Sequence, residues 1–180
     1  ALPRNLTLAL GSVTLTPLEV VRGYAVLANG GHLIEPHVIS RVEDGRGRTV
    51  FKADPATVCP ACEISEAAPF RYADGRRRAE RSVAADNVYQ MTNMLQDVIR
   101  YGTGRRALQL GRRDLAGKTG TTNDQRDAWF SGFNRDVVTT TWVGFDDMVS
   151  LGRYETGARA ALPAWITFMR VALAGRPEHQ

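Results

Sequence analysis

Apolar positions along the chain recur at helical spacing in three stretches and alternate with polar ones in the intervening runs. Thr14-Leu15-Thr16-Pro17-Leu18-Glu19 announces the first helix. Thr16 is placed to cap, Pro17 suits the first helical position, and Glu19 completes a capping box three residues after Thr16. Val20, Val21, Tyr24, Leu27 and Ala28 then repeat near the 3.6-residue period, which predicts one buried face, and Asn29-Gly30-Gly31 supplies the stop. Upstream, Leu6 to Ser12 is small and mildly apolar, with Gly11 as a bend. His37 to Asp44 reads as a strand, Gly45-Arg46-Gly47 as a turn, and Arg48 to Lys52 as the return strand. The clearest helix runs from Val83 to Tyr101, with Val88, Met91, Leu95, Val98 and Ile99 on one face, and Asp86 and Asn87 near its start. Met91 and Met94 read as core filler. Gly102-Thr103-Gly104 ends that helix.

Beyond it, Lys118 to Thr122, Ala128 to Asn134 and Val137 to Phe145 predict three consecutive antiparallel strands joined by short turns. Trp129 and Trp142 read as sheet packing, Asp124 as shaping a turn, and Asp127 as orienting backbone or an arginine such as Arg126. Asp146 to Ala160 is a glycine-containing loop. Leu162-Pro163 opens a last helix that carries Trp165, Ile166, Met169, Ala172 and Leu173 on the face toward the back of the sheet. Arg176 to Gln180 reads as a frayed tail. Between Asp54 and about Ser82 no periodicity is sustained, so that stretch is expected to be a long surface excursion.

Composition adds few constraints. Hydrophobic residues make up 43% of the 180 residues and charged ones 23%, which is ordinary for a globular domain and excludes intrinsic disorder. No run is long and apolar enough to span a bilayer, and no signal-peptide layout opens the chain. The start, Ala1-Leu2-Pro3-Arg4-Asn5, reads as the middle of something larger. A net charge of +4 admits an anionic partner, but no recognition motif or basic–aromatic interleaving supports nucleic acid. The one dense basic run, Arg76-Arg77-Arg78 with Arg81, reads as a solvated loop.

Cys59-Pro60-Ala61-Cys62 leaves three readings open. A zinc half-site needs two more ligands, whereas there is no second cysteine pair and His32, His37 and His179 are scattered. A redox pair ordinarily opens a helix of a thioredoxin-like unit. A local disulfide is favoured over free thiols or a metal partner elsewhere, and over redox activity. It fits an oxidising compartment, and its short loop would pin local geometry more than it stabilises the fold.

The richest stretch is Ala116-Gly117-Lys118-Thr119-Gly120-Thr121-Thr122-Asn123-Asp124, followed by Asp127-Ala128-Trp129-Phe130-Ser131-Gly132-Phe133 and Thr141-Trp142-Val143-Gly144-Phe145-Asp146-Asp147. Thr and Gly on a strand leave an uncrowded edge with which an extended peptide can pair. Hydroxyls and an ammonium there are donors, which suits a carboxylate. Lys-Thr-Gly is weak evidence alone, but in this context the chain resembles the transpeptidase domain of class A penicillin-binding proteins. The segments Leu2 to Gly31 and Val98 to Ala107 resemble the same family.

The resemblance implies an α/β (α+β) fold of the penicillin-binding/β-lactamase type, an antiparallel sheet flanked by helices. Residues 1–175 would be the C-terminal part of the transpeptidase domain, with 54–82 as the excursion and 176–180 as tail. It implies a peptidoglycan D,D-transpeptidase that works through an acyl-serine intermediate. The acyl donor is a stem peptide ending in D-Ala-D-Ala, and β-lactam antibiotics mimic it. Lys118 matches the motif lysine that favours the substrate carboxylate and assists proton transfer. Thr119 and Thr121 match the carboxylate-binding hydroxyls, the Thr121 backbone N–H matches an oxyanion donor, and Gly120 keeps the strand face clear; Thr122 completes the substrate-binding run. Gly102, Thr103, Gly104 and Arg105 would flank the cleft, although a plain helix C-cap also accounts for the glycines, and Trp129 would border it. No cofactor or metal is implied. The expected location is the periplasmic face of the bacterial inner membrane, with the anchor and a glycosyltransferase domain outside this segment.

One departure matters. None of Ser12, Ser40, Ser65, Ser82, Ser131 and Ser150 is followed by Lys three residues on, and none begins a Ser-x-Asn motif. The nucleophile, its lysine and the middle motif are thus expected on an upstream part of the same polypeptide, and this chain alone is expected to be inactive. The alternative is a non-catalytic penicillin-binding-like module that binds peptidoglycan or a partner protein; a β-lactamase fits the flanking stretches less well.

Overall fold

The computed structural model describes residues 13–59 and 61–179, together with Leu6, Leu8 and Gly11. Most of the Leu6–Ser12 stretch and Pro60 therefore lie outside the described residues. The first helix, α1 (Pro17–Ala28), begins as its sequence dictates: Thr16 Oγ1 accepts from the Glu19 N–H, and the Glu19 carboxylate accepts from the Thr16 N–H at 2.8 Å. Two orphan donors of the first turn are thus satisfied. Val26 is its buried residue, while the predicted face of Val20, Val21, Tyr24, Leu27 and Ala28 is only half-buried.

Two short strand pairs follow. β1 (His32–Leu33) pairs antiparallel with β4 (Glu80–Arg81), and β2 (Arg41–Glu43) with β3 (Thr49–Lys52). The predicted strand from His37 is thus shorter, because Pro36 precedes it and pairing begins only at Arg41. Its turn is set by Asp44, whose carboxylate accepts from the N–H groups of Arg46 and Arg48. The 54–82 excursion is more ordered than its composition predicts. Bridges join Thr57 to Arg78, Ile64 to Tyr72 and Arg71 to Arg77, and Tyr72 and Ala79 are buried. Nor is the basic run simply solvated. Arg77 donates to the Asp54 carbonyl, Arg78 to the Pro69 carbonyl and Arg81 to the Gly30 carbonyl, while Arg76 pairs with Asp74. Local arginine-to-carbonyl bonds replace the missing apolar periodicity, which is why no pattern betrays them. Cys59 and Cys62 are bonded to each other, S–S 1.98 Å.

The second long helix, α2 (Ala85–Arg100), buries Val88, Leu95 and Ile99. Met91 and Met94 are not core residues: they are 42% and 56% exposed, and Met91 lines an open groove between α1 and α2. A 3-10 helix (Arg105–Leu110) follows, and then the three-stranded antiparallel sheet β5 (Ala116–Thr121), β6 (Asp127–Phe133) and β7 (Val138–Gly144), in that order. A π-helical turn (Gly157–Ala161) ends the predicted loop and runs into α3 (Leu162–Ala172).

Side-chain alternation along β6 sorts the layers. Phe133 meets the Tyr24 ring of α1 at 6.3 Å, whereas Phe130 meets Trp165 of α3 edge-on at 4.9 Å. These phenylalanines have opposite parity on one strand, so α1 and α3 cover opposite faces of the sheet. The main core lies on the α3 side, where Ile99, Leu115, Phe130, Leu162, Trp165, Ile166 and Met169 pack together. The described part of the tail, Arg176 to His179, is not frayed. Arg112, paired with Asp114 across 2.6 Å, also donates to the Arg176 and Pro177 carbonyls, and the His179 N–H donates to Asp114. A buried ion pair, not tail composition, fixes these residues, and single-residue reading had no access to it.

Candidate active-site edge

β5 is an edge strand: among the described residues it pairs only with β6. Its register places Ala116 opposite Phe133, Lys118 opposite Ser131, Gly120 opposite Trp129 and Thr121 opposite Ala128. The Thr122 N–H donates to the Asp127 carbonyl at 3.1 Å. In an antiparallel ladder the bonded pairs alternate, so Gly120 and Lys118 also spend their backbone groups on β6. Thr121, Thr119 and Gly117 fall between, and their N–H and C=O groups point to the open edge. The motif thus offers a row of main-chain donors and acceptors on the side away from the sheet, without a strand partner among the described residues.

Side chains complete that edge. Lys118 is exposed, and its ammonium donates at 2.9 Å to the Thr119 carbonyl, one of the edge-directed groups. Behind Lys118 sits the buried Ser131, whose Oγ accepts from Thr140 at 3.0 Å. Thr119 Oγ1 lies 2.8 Å from Thr103 Oγ1, in the turn that closes α2. Thr121 Oγ1 accepts from the Gly157 N–H at 3.0 Å. A hydroxyl has one proton and two lone pairs, so the Thr121 proton remains available to a ligand. Gly157 sits so tightly on the sheet that an added Cβ would lie 2.2 Å from the Trp129 carbonyl oxygen and 2.5 Å from that of Gly120.

The turn at Gly102–Gly104 does two things that the sequence left as alternatives. It caps α2, since the Gly102 N–H donates to the Asp97 and Val98 carbonyls and that of Gly104 to Val98. It also presents Thr103 to the motif strand. Arg105 opens the 3-10 helix beside it and is exposed. Asp127 does not meet Arg126. Its carboxylate accepts from Trp142 Nε1 at 2.8 Å and from Thr122 Oγ1, while Arg126 pairs with Asp124. Trp129 is half-buried against Trp142, ring centres 6.1 Å apart, beside Gly120 rather than Lys118. Thr122 turns its hydroxyl to the Asp127 N–H at 2.8 Å and so closes the strand end. The sequence singled out Thr103, but gave no sign of its bond to Thr119 or of Gly157's contact with Thr121, because both join residues far apart in the chain.

A helix-flanked antiparallel sheet whose edge strand carries Lys-Thr-Gly-Thr defines the serine acyl-transferase class of fold. Residues 4–156 match the penicillin binding protein transpeptidase domain, and the chain belongs to that family. Its similarity is to the 1A type: it is 44% identical to penicillin-binding protein 1A of Pseudomonas aeruginosa, over 99% of this chain and 25% of that protein. The chain therefore spans about a quarter of that relative's length. The crystal structure of penicillin-binding protein 1A from Haemophilus influenzae superposes with a TM-score of 0.85 at 38% identity, covering 97% of this chain and 28% of that one. The fold extends further, to the imipenem acyl-enzyme of penicillin-binding protein A from M. tuberculosis (TM-score 0.57, 20% identity, 91% of this chain and 32% of that one).

Proposed function

We propose that this chain is the Lys118-bearing part of a peptidoglycan D,D-transpeptidase whose nucleophilic serine, in a Ser-x-x-Lys motif, lies on an upstream part of the same polypeptide together with Ser-x-Asn. The observation that carries this is the open β5 edge, along which the Lys118 ammonium, two threonine hydroxyls and edge-directed main-chain groups lie within four successive residues. A stem peptide ending in D-Ala-D-Ala lies along that edge as an added strand. Its terminal carboxylate accepts from Thr119 and Thr121 Oγ1 and is favoured by the Lys118 charge. The Thr121 N–H, directed outward by the ladder, is one donor to the oxyanion.

The serine oxygen attacks the penultimate D-Ala carbonyl carbon. The peptide C–N bond breaks, and terminal D-Ala leaves with a proton shuttled from the serine through the lysines. The amine of a second stem peptide then attacks the ester carbon, the C–O bond breaks, and the serine regains a proton as the cross-link forms. A β-lactam enters as the first acyl donor. No cofactor takes part. The site works at the periplasmic face of the inner membrane, anchored by a segment outside this chain; no described helix is long and apolar enough to cross a membrane.

Upstream polypeptide also accounts for an open groove of about 450 Å³ between α1 and α2, lined by Tyr24, Val26, Leu27, Val83, Met91 and Leu95. With three-quarters of the P. aeruginosa relative outside the match, we assign that groove to the upstream half of the same domain. Labelling the full-length polypeptide with a fluorescent penicillin tests the reading. A covalent adduct abolished by Lys118→Ala supports it. A stable full-length chain that takes no label favours instead a non-catalytic module that binds peptidoglycan or a partner protein.

A further inference from the structure

We propose that Thr103 is a positioning residue for the carboxylate site: it donates its hydroxyl proton to Thr119 Oγ1 and thereby leaves the Thr119 proton free for the ligand. The proposal rests on the reading of Thr119 and Thr121 as carboxylate donors. The two oxygens are 2.8 Å apart, and either one can donate to the other. The two arrangements have opposite consequences. If Thr119 donates to Thr103, its only proton is spent and it presents lone pairs to an anion. If Thr103 donates, Thr119 presents an O–H. A carboxylate is an acceptor only, so it selects the second arrangement.

Thr103 is built to stay in reach. Its flanking residues are held by backbone bonds from Gly102 and Gly104 to the last turn of α2. At Gly102 an added Cβ would lie 3.0 Å from Val98 backbone atoms, and at Gly104 3.2 Å from the Ile99 side chain, so the turn is wrapped closely on the helix end. The other motif hydroxyl follows the same rule by different means. Thr121 Oγ1 accepts from the Gly157 N–H at 3.0 Å, which cannot reverse direction, so its proton too is left for the ligand. Each carboxylate-facing hydroxyl is thus backed by a donor, and a hydroxyl that accepts one hydrogen bond donates a stronger one. The backing group of Thr119 is itself a hydroxyl, supplied by a separate element, and Thr103 needs no contact with substrate to act.

The test uses the full-length polypeptide, its Thr103→Val, Thr103→Ala and Thr103→Ser variants, and two probes: benzylpenicillin and its methyl ester, in which the carboxylate is masked. The second-order rate of acylation is measured for each. Thr103→Val and Thr103→Ala are expected to slow acylation by benzylpenicillin about tenfold, the weight of one hydrogen bond, and to change the ester by less than about twofold. Thr103→Ser is expected to restore most of the rate. Thr103→Ala removes the hydroxyl without adding bulk, so a folding failure of the valine variant leaves the comparison intact. Unchanged rates with benzylpenicillin, equal losses with both probes, or no rescue by serine would each overturn the role of Thr103. A wild-type polypeptide that neither probe acylates would overturn the transpeptidase reading itself.

Discussion

Asp114 leads into β5 and Lys118 lies on it, yet they answer to opposite physics. Lys118 is exposed, so Lys118→Ala is expected to change stability by no more than about 0.5 kcal/mol while lowering penicillin acylation of the full-length polypeptide at least about a hundredfold. Stopped-flow acylation and urea melts separate the two effects. Asp114 is 9% exposed, and its ion pair with Arg112 fastens the tail. Burial alone would raise its pKa. Hydrogen bonds from Arg112, Asn134 and the His179 N–H outweigh that and hold the carboxyl below the ordinary aspartate range. A depressed native pKa means stability that is complete above about pH 4 and is lost as pH falls through the native value. Asp114→Ala removes that acid dependence and leaves Arg112 and Asn134 without their partner, a loss of about 3 kcal/mol. Urea titrations of wild type and variant between neutral and acid pH read both quantities.

Elements that declare themselves through local chemistry were legible in the sequence. The capping box of α1, the apolar face of α3 and the order of β5, β6 and β7 all follow from spacing within one segment. Elements held by long-range polar bonds were not. The excursion's bridges, the pinned tail and the exposure of Met91 and Met94 depend on what lies across the fold, which helical periodicity does not encode. At the site, the residue types were read directly, but their connections, Thr103 to Thr119 and Gly157 to Thr121, came only from the fold. The π-helical turn gives the sharpest element-scale prediction. Gly157→Ala places a methyl within 2.5 Å of two carbonyl oxygens of the sheet, which neither strand can yield. A loss of roughly 1–3 kcal/mol is expected, together with slower acylation as the donor to Thr121 is displaced. Thr16→Ala, by contrast, is expected to cost about 1 kcal/mol through the lost cap and to leave acylation alone.

At the scale of the whole molecule, the sheet is covered by α1 and α3, while the α1–α2 groove and the β5 edge stay open. Both open features are assigned to the remainder of the same polypeptide, one to its packing and one to its chemistry. Met91→Asp distinguishes this from a surface that stays wet. If the upstream half fills the groove, the substitution lowers the stability of the full-length domain by about 2 kcal/mol or more; if Met91 remains at its present exposure, the change stays within about 0.5 kcal/mol. The central claim is that one site is shared between this chain and sequence outside it. Peptide mapping by mass spectrometry of the full-length polypeptide after reaction with benzylpenicillin tests that most directly. The account predicts a single penicilloyl adduct on a Ser-x-x-Lys serine outside these 180 residues, absent from the Lys118→Ala variant. An adduct on a residue within this chain, or one that forms equally well without Lys118, would contradict it.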